Sequence, residues 1–179
     1  MQVYNTYIQQ LNFDGITYNK GVVKDLSDAF NIVSEDFPFK KNPQPKDIPT
    51  RDWAGEDGLD VYVPKHLPVK SYDIEVTFLY KGTEDTIRED LTNFIDFLYG
   101  RNANAVGSRL AIYNEHTKIG RKDVVVAEID DELFYLTQYD PDAMARFKVK
   151  FTVYDPTTEV EPVYQNVGGK TTVTNLNFR

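Results

Sequence analysis

Two stretches of strict alternation, with one helix-period stretch among the strands, constrain this chain more than anything else in it. In YDIEVTFLY, Tyr72, Ile74, Val76, Phe78 and Tyr80 alternate with Asp73, Glu75 and Thr77, and in RFKVKFTV, Phe147, Val149, Phe151 and Val153 alternate with Lys148, Lys150 and Thr152. A period of two puts every apolar side chain on one face, so both stretches predict half-buried strands. Between them, Ile87, Leu91, Phe94, Ile95 and Leu98 fall on one helical stripe. Thr83 is placed to cap that helix, Glu84 and Asp85 sit at the positive end of its dipole, and Gly100 takes the C′ position, which predicts a helix over roughly 84–99.

A parallel sheet needs a crossover for nearly every strand, and one amphipathic helix cannot supply them. The expected fold is therefore mainly β, a sandwich or barrel with one packed α-helix and extended arms. Further strands are expected at 109–113, 123–129 and 133–139, and two short ones flank a turn at Asp14-Gly15. Residues 21–33 fit either a strand or a short helix. The 12 Tyr and 11 Phe suit a pleated core, and 179 residues suffice for one domain without staples. That domain is expected over 1–156, with residues 157–179 as a C-terminal arm. Inside it, 34–65 reads as a long proline-rich loop or arm, because six of the nine prolines fall between 38 and 68.

Chemistry finds little foothold. There is no cysteine, which removes disulfides, thiolate zinc and cysteine nucleophiles together. His66 lies in VPKHLPV and His116 in NEHTK, both loop contexts, and no serine sits in a nucleophile-elbow frame. No phosphate-cradling glycine motif occurs. Glu128, Asp130, Asp131 and Glu132 read as a charged turn that protects sheet edges, with paired carboxylate chemistry as the alternative. Asp52, Glu56, Asp57 and Asp60 are oxygen ligands of the type calcium accepts, but their spacing is not that of an EF-hand loop. The expectation is a protein that is not an enzyme and holds no cofactor and no metal.

The net charge of −8 argues against a surface that grips nucleic acid. No apolar run reaches membrane-spanning length, and MQVYNTYIQQ lacks the basic start and apolar stretch of a signal peptide. These features predict a soluble chain with no membrane partner.

The stretch RDWAGEDGLDVY, followed by the alternating strand, brings a family into view. Arg51, Gly55, Asp57 and Gly58, then YDIEVTFLY, then the helix ending in NFIDFLYG, resemble the N-terminal ring-forming domain of distal tail proteins of long-tailed bacteriophages, which share their fold with tail tube proteins. LAIYNEHTKIGRKDVVVAEIDDELFY and RFKVKFTVYDP continue the element order of such domains, so the similarity runs over about residues 1–156. Many distal tail proteins carry a second, galectin-like β-domain, which this chain is expected to lack, so the resemblance fits a short distal tail protein, a tube protein or another tail-ring relative.

The resemblance implies a structural tail protein of a phage or prophage virion, made in the bacterial cytoplasm. It implies assembly with copies of itself into a ring or tube, typically hexameric, beside other tail proteins and around a channel through which DNA passes unbound. In that setting Gly55 and Gly58 would permit tight turns at positive φ. Trp53 would anchor an interface or else cover a loop in the core, and Arg51 would meet a neighbour's carboxylate. Lys40, Lys41, Lys148 and Lys150 are expected on outer or intersubunit faces opposite acidic neighbours. The competing class is a monomeric β-sandwich module that binds carbohydrate or protein through exposed Tyr and Trp. A hydrolase stands third.

Overall fold

The strands at 72–80 and 145–153 lie side by side in one half of a sheet, and the larger core is built on their apolar face. A computed structural model describes residues 4–130 and 145–179. Its strands are β1 (Thr6–Phe13), β2 (Tyr18–Asp25), β3 (Ile32–Ser34), β4 (Thr50–Arg51), β5 (Asp60–Val61), β6 (Tyr72–Tyr80), β7 (Arg109–Asn114), β8 (Ile119–Ile129), β9 (Ala145–Val153), β10 (Val160–Val167) and β11 (Lys170–Phe178). The helices are α1 (Leu26–Phe30) and α2 (Ile87–Tyr99). Seven strands form one antiparallel sheet in the order β2-β1-β7-β8-β9-β6-β3.

Register explains the core. Phe78 lies opposite Phe147, Val76 opposite Val149 and Ile74 opposite Phe151, so the alternation of β6 and β9 puts six apolar side chains on one face. All six are buried, each contributing about 1.5–3 kcal/mol of transfer free energy. Phe94 of α2 closes over them, with its ring 5.4 Å from Phe78 and 6.0 Å from Phe147. The opposite face of these strands is a charged ladder in which Lys148 pairs with Glu75 at 2.6 Å and Lys150 with Asp73 at 3.8 Å. These two lysines therefore stand on an outer face opposite acidic neighbours of the same chain.

The mainly β architecture matches the expectation, and several details depart from it. Residues 21–33 resolve the strand-or-helix ambiguity by containing both, with β2 running to Asp25, then the five-residue α1 and then β3. A second helix thus joins the one expected. Asp25 caps it by accepting from the Ser27 amide at 3.0 Å, and Asn31 at φ 55° ends it. The longer helix starts at Ile87 rather than near 84. Thr86, not Thr83, occupies the N-cap, without a side-chain cap bond, and Glu89 and Asp90 are the acids of its first turn. The Tyr80 hydroxyl donates to Asp90 at 2.7 Å and so fastens this start to the end of β6. Gly100 at φ 68° terminates the helix in the expected place.

The largest correction concerns the C-terminal arm. Residues 160–178 are a β-hairpin of β10 and β11 that folds back across the second face of the sheet. Val160 and Leu176 are fully buried there with Tyr7, Leu11 and Ala111. Their apolar residues are spaced irregularly because the hairpin carries a register shift between Val163 and Tyr164, which hides a period of two. With both of its faces covered, β1 buries Ile8 on the helix side and Leu11 on the hairpin side. Two glutamines complete the fit. Gln9 donates to the Gly21 carbonyl and accepts from the Leu176 amide, while Gln10 donates to the Phe97 carbonyl. The expected strand at 133–139, the turn at 140–142, and Asp131 and Glu132 lie outside the described residues.

Candidate functional site

The segment read as a proline-rich arm divides in two. Its first residues belong to the core, since Phe37 and Phe39 are buried and the Phe37 ring lies 6.1 Å from Phe151. From residue 43 the chain leaves the body as a ribbon. An antiparallel bridge joins Pro45 to Val69, the Lys46 amide donates to the Pro68 carbonyl at 2.7 Å, and the Lys70 amide donates to the Gln44 carbonyl at 2.7 Å. Lys70 also pairs with Asp47 at 2.9 Å. Prolines suit such an isolated ribbon because no neighbouring strand asks for their missing amide donors.

The ribbon carries RDWAGEDGLDVY at its tip. Strands β4 and β5 pair Thr50 with Val61 and Arg51 with Asp60, and the loop between them turns at Gly55 (φ 98°) and Gly58 (φ 86°). Both glycines stand in the left-handed region that the loop requires, with open space around them. The Arg51 guanidinium stacks 3.7 Å from the centre of the Trp53 ring. Trp53 is 43% exposed and belongs to none of the core clusters. Asp57 lies in the same loop, exposed. The structure therefore brings Arg51, Trp53, Gly55, Asp57 and Gly58 together on one projecting loop. It decides the choice over Trp53 in favour of a surface residue.

Motif reasoning missed the companions of Trp53. Leu59, Val61, Tyr62, Val63 and Leu67 are all exposed on the same ribbon. Single exposed apolar residues are ordinary, but six along one projection are a feature of binding surfaces. The alternation of Leu59, Val61 and Val63 between prolines was the available signal. Four carboxylates share the tip, Asp52, Glu56, Asp57 and Asp60, and none forms an ion pair among the described residues. No group of three or more metal-ligating side chains of the kind that holds an ion occurs among the described residues.

A second polar cluster fastens the hairpin to the body. Asp123, at φ 52° where the β7–β8 register shifts, accepts from Tyr18 at 2.6 Å and from Arg109 at 3.1 Å. Lys122 reaches Asp155 at 3.4 Å and lies 4.5 Å from the Tyr18 ring centre. Burial works against ionisation of Asp155, but the Thr157 and Thr158 donors and the Lys122 charge outweigh it and hold its carboxyl below the usual range. Burial and the bond to Asp123 push the Tyr18 phenol up. These groups bond chiefly to one another, which marks a structural cluster. His66 and His116 are both exposed, and His116 lies against Tyr4 with ring centres 4.2 Å apart. No helix among the described residues is long and apolar enough to cross a membrane.

No family model matches the sequence, and neither does any curated protein. Among solved structures the chain is similar to the SPP1 Dit (gp 19.1) protein, described as a paradigm of hub adsorption apparatus in Gram-positive infecting phages. The identity is 16%, the TM-score 0.49, and the match covers 89% of this chain and 54% of that one. It is also similar to a chain in the phage p2 baseplate in its activated conformation with Sr, at 11% identity and TM-score 0.49, over 93% of this chain and 49% of that one. The chain spans about half the length of either. At these identities and TM-scores the likeness identifies neither a family nor an activity.

Proposed function

We propose that this protein is a structural component of a phage tail, of distal tail type, that assembles with copies of itself into a ring, typically a hexamer, around a channel for DNA. The observation that carries the reading is the projecting ribbon. It extends Trp53, Leu59, Val61, Tyr62 and Val63 into solvent, where a monomer gains nothing from them and an assembly buries them. The glycine loop that the sequence shares with the distal tail pattern is the tip of that same ribbon. Sedimentation velocity over a range of concentrations, with negative-stain images of the largest species, tests the reading. A closed ring is the expected outcome, and a monomer at every concentration would refute it.

Passage of DNA without binding is part of the proposal and rests on the charge of −8, repeated in every copy of a ring. A gel shift at low salt, where electrostatic attraction is strongest, should show free DNA. Tight, salt-sensitive binding would overturn the channel assignment and leave the ring untouched. A carbohydrate-binding module fits the site less well, because Arg51 already lies over the Trp53 ring that a sugar would stack on.

A further inference from the structure

A buried arginine with no counter-ion among the described residues lies at the root of the ribbon. Arg121, at the start of β8, is 3% exposed. Its Nη1 donates to the Gly120 carbonyl and its Nη2 to the Lys40 carbonyl, both at 3.1 Å, and its Nε has no partner. No carboxylate among the described residues pairs with it. A guanidinium withdrawn from water and met only by carbonyl dipoles is an uncompensated charge, the arrangement in which a carboxylate partner stabilises most.

Arg121 lines a cavity of about 270 Å³ between the root of the ribbon, the β7–β8 turn and β10. Lys41 and Lys118 stand on its rim, exposed and in no ion pair among the described residues. Glu159 and Glu161 line the β10 side, and Glu161 is already engaged by Arg179 at 2.8 Å. The cavity is thus a positive spot on a protein of net charge −8. The opposite sign is concentrated at the ribbon tip, where Asp52, Glu56, Asp57 and Asp60 project unpaired. A ribbon cannot bend its tip back to its own root, so the two meet only between molecules.

We infer that the acidic tip loop of one copy docks into the Arg121 cavity of the next, with Lys41 and Lys118 gripping its carboxylates. This rests on the ring reading and adds to it the contact that sets one copy against another. The contact is head-to-tail, because tip and cavity are different surfaces, and repeated head-to-tail contacts close a ring when the rotation allows.

Charge exchange tests it. K41E/K118E reverses the rim of the cavity and D52K/E56K/D57K reverses the tip. All five positions are exposed, and unchanged thermal melts establish that both variants fold. In low salt each variant alone should self-associate about tenfold or more weakly than the wild type, as rim charges govern encounter and register. Mixed together, the two should associate again, since each supplies the face the other lacks. Wild-type assembly with no effect of either reversal would overturn the docking and leave the ring standing. A wild type that never assembles would overturn both. Inorganic phosphate is the probe for a free anion. If it shifts the Thr117 and Lys118 amide resonances while tip reversal leaves association unchanged, the cavity holds a small anion and the docking falls.

Discussion

Phe37→Ala measures where the ribbon stops and the body starts. Proline content makes the whole of 34–65 look like an arm, yet Phe37 is 1% exposed and packs against rings on both β6 and β9. Its ring centre lies 4.8 Å from Phe39, 6.1 Å from Phe151 and 6.2 Å from Phe78. Truncating a fully buried phenylalanine costs about 3–5 kcal/mol from lost transfer energy and the cavity left behind. Phe78 and Phe151 are held by strand register and cannot close the gap, whereas Phe39 follows on a less constrained segment and can fill part of it. That favours about 3–4 kcal/mol, and at roughly 2–4 °C per kcal/mol for a chain of this size the melting point falls by about 10 °C. Urea unfolding followed by far-UV circular dichroism is the appropriate assay, because the only tryptophan is at the ribbon tip and its fluorescence reports the wrong place. Trp53→Ala is the matched control, expected to change stability by less than about 0.5 kcal/mol while weakening self-association. A loss below about 1 kcal/mol for Phe37→Ala, with an unchanged m-value, would refute the division between anchored root and free ribbon.

Leu91→Asp puts an unpartnered carboxylate on the buried stripe of α2 and should leave no cooperative thermal transition, so a variant melting like the wild type would show the stripe misassigned. Gly120→Ala would place a Cβ 2.6 Å from the Val160 carbonyl oxygen, which belongs to a paired strand; a loss of about 2 kcal/mol or more, with faster hydrogen exchange in the hairpin, is expected. Asp155 has its pKa held below the ordinary 3.8, so its stabilisation is complete above that value and lost as pH falls through the folded one. Asp155→Asn should therefore destabilise at pH 7, and its difference from the wild type should shrink as pH falls below 3.8, which parallel urea titrations across that range would check.

The β6–β9 pair and the ribbon tip were legible in the sequence for local reasons. Strands β6 and β9 show a clean period of two because one face is packed and the other meets water. Gly100 marked the end of α2 because a left-handed cap asks for a residue without a Cβ. Gly55 and Gly58 flagged a turning loop on the same grounds. The tail hairpin was not legible, since its buried residues are few and a register shift breaks their alternation. Nor was the burial of Phe37, whose neighbours on β6 and β9 are far away in the chain. Whether Trp53 faced a core or solvent could not be read from an aromatic residue beside glycines; it followed only from where the ribbon leaves the body. Arg121 is the furthest case. As one cation at the start of a strand it carries no signal, and its meaning comes from the Lys40 and Gly120 carbonyls that meet it where no carboxylate among the described residues pairs with it. Local backbone preference and periodicity are properties of neighbours in sequence, and the chain states them itself. Burial, and the charge left unpaired by it, depend on which distant segments converge, and only the tertiary structure decides that.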